Sequence, residues 1–181
     1  AMAKRSAPQD SVLFYFAGRG IRLPQSGLEG LALELPAPSQ PLALSELAAA
    51  IQAIPARSRL SVLDMDFLPG PRGPAKAGPP LPERIPLLLR QSFLAGVAQG
   101  GVVLATGLDP AERAQTFEGQ GLLTRYLVSA LSSKADPSQD QLTFAELEQY
   151  LELHIGNLSE VALPAPQHPQ VLAVNRSAKL P

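Results

Sequence analysis

Apolar residues in this chain fall into short continuous runs separated by polar stretches marked with proline and glycine. Val12–Phe16, Leu60–Met65 and Gly101–Thr106 are such runs. They are too short for helices, and their continuity predicts strands buried on both faces. Gly30–Leu35 alternates toward a further extended segment, and Val171–Val174 reads as a last short strand. Between the runs the apolar spacing becomes helical. Leu47, Ile51 and Ile54 predict a helix over Leu44–Ile54, with Ser45 as its N-cap and Pro55 as its stop. Leu88, Leu89, Phe93 and Val97 share one face of Ile85–Ala98. Gly121–Ser132 is amphipathic, with Leu122, Leu123, Tyr126 and Leu127 as core positions. Thr143 precedes a helix over Phe144–Ile155, and Glu146 three residues later completes a capping box.

Strands alternating with helices define the fold class as α/β: a mainly parallel sheet covered by helices on both faces, in three layers. The expected organisation is a loose N-terminal segment at 1–10, one domain over 11–175 and a tail at 176–181. Ile21–Ser26 reads as a loop and Pro36–Pro41 as punctuation. Residues 69–82 (PGPRGPAKAGPPLP) lack any apolar period and read as a flexible linker.

Composition narrows the chemistry. There is no cysteine, so thiol nucleophiles, disulfides and thiolate metal sites are excluded. With only His154 and His168, a multi-histidine metal centre is excluded too, and no cofactor is expected. The fifteen Lys and Arg are scattered at a net charge of −1, which argues against a nucleic-acid surface. No apolar run has the length of a membrane span, and the opening AMAKRSAPQD lacks the apolar core of a signal peptide. The GRG at 18–20 lacks the third glycine and the helix start of a phosphate loop.

Two segments carry the candidate chemistry. Ser11–Gly20 (SVLFYFAGRG) and Leu60–Gly70 (LSVLDMDFLPG) are apolar strands ending abruptly in polar loops, where open α/β sheets bind ligands. They resemble the two catalytic strands of the caspase/metacaspase-like cysteine peptidases, which end in a Gly-His-Gly turn and an Asp-x-Cys-His/Arg-Ser-Gly loop. Further ordered matches are GVVLATGLDPAERAQTFEGQGLLTRYLVSAL, with Gly121, Leu122, Leu123 and Thr124 at a Gly-Leu-Phe-Thr-like helix start. LTFAELEQYL and Gln167–Gln170 (QHPQ) before the last strand follow in the same order. The resemblance covers roughly residues 10 to 175.

That resemblance implies a three-layer caspase-like sandwich, entered at what would be the family's third strand. The N-terminal strands would be missing and the first strand here would stand at an open edge. It also implies lost catalysis. The histidine position holds Arg19, which cannot act as a base near neutrality, and the cysteine position holds Asp66, a poor nucleophile toward amides. An Arg19–Asp66 ion pair across the old active site is expected if the loops sit as in the family. Asp64 matches the family's carboxylate for a basic peptide side chain, and Glu118 lies in an acidic stretch with Asp109 and Glu112 that borders the family's groove. Each position also has a plainer reading: Arg19 and Asp66 as loop residues, Asp64 as a carboxylate bonded to loop amides, the acidic stretch as solvated surface. His154 suits a helix C-terminus, and His168 has no partner near it in sequence.

The function implied is a pseudo-peptidase, not an enzyme, that binds or scaffolds a protein or peptide partner. A partner chain is expected to complete the sheet at the Val12–Phe16 edge or to pair at Val171–Val174. The alternatives are a hydrolase using Ser26 or Asp66 with water, and a structural spacer within a larger protein.

Overall fold

The computed structural model describes residues 7–23, 27–68, 85–106, 112–134 and 142–180. The linker expected at 69–82, Ser26, Asp109 and residues 1–6 lie outside the described residues. A central sheet takes the order β1 (Ser11–Ala17), β5 (Ser58–Asp64), β7 (Gln99–Leu104), β10 (Gln170–Ala173). The first three strands are parallel and β10 runs antiparallel to β7. Helices α1 (Leu44–Gln52) and α2 (Ile85–Phe93) cover one face. Helices α3 (Leu122–Ser129) and α4 (Phe144–Leu151) cover the other. This is a three-layer α/β sandwich with a mainly parallel sheet.

Strand alternation divides the core. Leu63, Val102 and Leu104 turn toward Leu44, Leu47, Ile85, Leu89 and Phe93 of the first helical layer. Leu60, Val62, Val103 and Val171 turn toward Leu123, Leu127, Phe144 and Leu147 of the second. Both faces of β5 and β7 are therefore apolar, which explains the uninterrupted runs in the sequence.

β1 departs from that expectation. Val12, Phe14 and Phe16 are half-buried, but Leu13 and Tyr15 on the opposite face are 63% and 44% exposed. The strand occupies a sheet edge, and the α3–α4 layer does not cover its second face. Continuous apolarity thus encodes a one-sided strand here.

A second small sheet joins β2 (Gly20–Arg22), β3 (Leu31–Leu33), β4 (Leu42–Ala43) and β6 (Phe67–Leu68) in the order β4-β3-β2-β6. The loop expected at 21–26 thus opens with a strand. The pairing of β1 with β5 continues through Gly18 N–H to Asp64 O (3.2 Å) and Gly20 N–H to Asp66 O (3.0 Å) into the parallel pair β2–β6. Backbone bonds across the sheet override the polar, Gly-marked signal.

Helix ends differ from expectation in several places. α1 begins at Leu44 with Ala43 as its N-cap, so Ser45 lies inside the first turn and caps nothing. α2 stops at Phe93, three residues before Gly96, whose φ of +71° cannot continue a helix. α4 ends at Leu151 but runs on through a π-helical segment, Glu152–Gly156, into α5 (Asn157–Ala162). The segment expected as a tail packs down: Phe144 N–H and Ala145 N–H donate to Ala178 O and Arg176 O, and Leu180 is buried.

The start of α4 forms as its spacing predicts. Glu146 N–H donates to Thr143 Oγ1 at 3.2 Å, and Thr143 N–H donates to Glu146 Oε2 at 2.8 Å. Thr143→Ala is expected to cost about 1 kcal/mol of stability in urea denaturation, with Thr143→Ser close to wild type.

Candidate functional site

Asp64 is the last residue of β5, and its side chain faces the α3 layer. Across from it α3 begins, and the chain comes very close. A Cβ on Gly121 would lie 2.7 Å from Asp64 Oδ2, so any side chain at that N-cap would displace the carboxylate. The approach lets Thr124 reach the carboxylate, its hydroxyl donating to Asp64 Oδ2 at 2.5 Å. Burial pushes the Asp64 carboxyl up from its ordinary value, opposed by hydrogen bonds from the Thr124 hydroxyl and amide. Tyr15, from the exposed face of β1, places its hydroxyl 2.5 Å from Thr124 Oγ1. Because the threonine proton points at Asp64, Tyr15 donates to Thr124 and the three form a chain ending at the carboxylate.

These groups line a cleft of about 590 Å³ at the carboxyl ends of β1 and β5. Its inner wall is Ala17, Gly18 and Asp64, and its outer wall is Ala114, Gln115 and Thr116. The outer wall is tied to the start of α3, where Leu122 N–H donates to Gln115 O at 2.9 Å. It is pinned also by the 165–168 loop: Gln115 N–H donates to Gln167 Oε1 (2.8 Å), Gln115 Nε2 to Ala165 O (3.2 Å), and Arg113 N–H to Pro166 O (3.1 Å). Gln167 is fully buried, and its Nε2 donates to Ala105 O at the end of β7.

Glu118 does not reach Asp64's end of the cleft. It sits at the tip of the hairpin formed by β8 (Thr116–Phe117) and β9 (Gln120–Gly121), with φ of +53° beside Gly119 at +79°. Positive φ at both central residues is the turn that matches the twist of a two-residue hairpin. Its carboxylate meets Arg125 at 2.9 Å, and Arg125 also lies over the Phe117 ring, 5.4 Å from its centroid.

The expected ion pair is replaced by a different contact. Arg19 Nε lies 3.4 Å from Glu34 Oε2, a residue following β3. Asp66 accepts from Ala114 N–H at 3.4 Å, at the foot of the outer wall. Burial pushes its carboxyl up, offset by that amide and by attraction to Arg113 and Arg19. Arg19 therefore acts on Asp66 through its field while its side chain pairs elsewhere. Glu112, expected on a solvated surface, is buried.

Both histidines have side-chain partners in the helical layer. His154 stacks on Tyr126 (5.3 Å, 18°) and tilts against Tyr150 (4.3 Å) within the helical layer. His168 faces Glu152 at 3.2 Å and Glu160 at 3.6 Å. Among the described residues no cluster of His, Asp and Glu is arranged to hold a metal ion, and no helix is long and apolar enough to cross a membrane.

Tyr15 and Gln115 carry no local signal in the sequence. Thr124 and Gly121 do stand three apart at a helix start, yet nothing near them indicates that they serve a carboxylate sixty residues earlier. No protein-family profile and no curated protein matches the chain.

Proposed function

We propose that this chain is a catalytically inactive caspase-like pseudo-peptidase that binds a peptide carrying a basic side chain. One observation carries the reading: a buried carboxylate, Asp64, lines a cleft at the carboxyl ends of two parallel strands, where the family resemblance puts a basic-residue pocket. The contiguous order β1-β5-β7-β10, with β1 at the edge, also supports it. Arg19 and Asp66 stand at the positions of the family's base and nucleophile, and neither has the chemistry for that role. Arg125 would repel a basic ligand, and Glu118 offsets it with an opposite charge. β1 and β10 end the sheet among the described residues and suit strand addition by a protein partner, in which main-chain hydrogen bonds provide affinity.

Fluorescence anisotropy with labelled hexapeptides that differ only in a central Arg, Leu or Glu tests the reading. The Arg peptide is expected to bind best. Asp64→Asn should weaken it by about tenfold or more, because a hydrogen bond to a desolvated charge contributes about 1.5–3 kcal/mol. Equal affinity for the Arg and Glu peptides would overturn the basic pocket. Cleavage of fluorogenic peptides by the wild type would overturn inactivity in favour of a hydrolase. Cleavage only by Arg19→His/Asp66→Cys would support an intact groove that lacks its catalytic pair.

A further inference from the structure

His168 stands in the loop just before β10, held from the helical layer by carboxylates on two different turns. Nδ1 is 3.2 Å from Glu152 Oε1 in the π-helical segment, and Nε2 is 3.6 Å from Glu160 Oε1 in α5. Glu112, from the start of the outer cleft wall, adds a third negative charge. The Glu152 carboxylate lies against Gly156, where a Cβ would come within 2.5 Å of its Oε1. Nδ1 is within hydrogen-bond distance of Glu152 and Nε2 within ion-pair range of Glu160, so protonation adds an attraction to both carboxylates that the neutral ring lacks.

The neighbouring residue makes this contact matter for the cleft. Gln167 is held by Ser159 Oγ, which accepts from Gln167 N–H at 2.8 Å and has Gly156 O (2.9 Å) and Gln167 O (3.1 Å) as alternative acceptors for its one proton. Its side chain bridges Ala105 at the end of β7 and Gln115 in the outer wall. Three of the hydrogen bonds pinning that wall arise from residues 165–167, immediately before the imidazole.

We propose that His168 is a pH-responsive latch: as the imidazolium it ties the 165–168 loop to Glu152 and Glu160 and holds the outer cleft wall in place, and deprotonation weakens that tie. The hydrogen bond to Glu152 leads the forces that raise the His168 pKa above its ordinary 6.5; partial burial opposes it, and the charges of Glu152, Glu112 and Glu160 reinforce it. A folded-state pKa raised in this way means the latch contributes in full below 6.5 and is lost as pH rises through the raised value. The cleft is ordered in mildly acidic solution and loosens on the alkaline side. The consequence for ligand affinity rests on the peptide-binding reading above; the latch itself does not.

Two measurements on the intact chain test it. Imidazole resonances followed by NMR, assigned with His154→Gln and His168→Gln, are expected to show His168 titrating above 6.5. Glu152→Gln/Glu160→Gln should return it toward that value. Exchange protection of the Gln115 and Gln167 amides, corrected for intrinsic pH dependence, should fall about two- to fivefold across the same titration, the scale of a half-exposed ion pair. His168→Gln should remove that step, and Asp66→Asn should keep it even though Asp66 also bonds the wall. A His168 titration at or below 6.5, or the same protection step in His168→Gln, overturns the latch. A pH-dependent wall together with equal affinity for the Arg and Glu peptides would uphold the latch and sink the basic pocket.

Discussion

Phe144→Ala is expected to destabilise the domain by about 3–5 kcal/mol, the cost of removing a large aromatic from a site that cannot collapse. Phe144 opens α4 with no exposed surface, and its ring lies against the backbone of β7 at Gly101. A Cβ at Gly101 would fall 2.3 Å from Phe144 Cε1, and its three nearest atoms all belong to that ring. Truncation therefore opens a cavity faced by bare strand, with no side chain on that side to fill it. The helix start remains anchored, because the Thr143 cap and the bond from Phe144 N–H to Ala178 O involve backbone and neighbours rather than the ring. Denaturant midpoints measure the loss. Gly101→Ala alone is expected to destabilise by overpacking, and in the Phe144→Ala background to recover part of the loss. Additive penalties would show that the ring and the glycine are not in contact.

Gln167→Leu is expected to cost about 2–4 kcal/mol and to unfasten the cleft wall. The substitution keeps approximate volume but strips the buried Ala105 O of its donor and the half-buried Gln115 N–H of its acceptor. Leaving a buried polar group unpaired costs about 1–3 kcal/mol each. The bonds between Ser159 and the Gln167 backbone do not depend on the side chain, so the loop should keep its course. Hydrogen exchange separates the two consequences. Protection of the Gln115 amide should disappear at pH values where the core strands stay protected. Loss of protection at the same free energy throughout would mean that Gln167 supports only global stability.

The layered fold was legible because patterning and packing agree. Val62, Val103 and Leu104 lie in a sheet covered on both faces, and burial on both faces is what a continuous apolar run encodes. The same rule failed at β1, since the sequence of a strand records what its side chains prefer and not which neighbours are present. Boundaries such as the end of α2 shifted because Gly96 interrupts an apolar period that otherwise continues.

The site divides in the same way. Asp64, Arg19 and Asp66 could be singled out because strand ends announce themselves locally. Which of them would pair could not. Arg19 turns to Glu34 because β2 continues straight out of β1 and pairs with β3, bringing the residue after β3 beside it. Thr124, Gln115 and Gln167 join the cleft through contacts spanning roughly fifty to sixty residues, and His168 finds Glu152 and Glu160 only once α4, the π-helical segment and α5 are folded against β10.

The amino-acid sequence by itself determined the layers and the absence of thiol groups from this chain, since these follow from local periodicity and residue type. The tertiary structure alone decided the partners of each charge and the walls of the cleft. Hydrogen bonds and ion pairs depend on ångström-scale positions, and those are set by how distant segments pack rather than by the residues beside them.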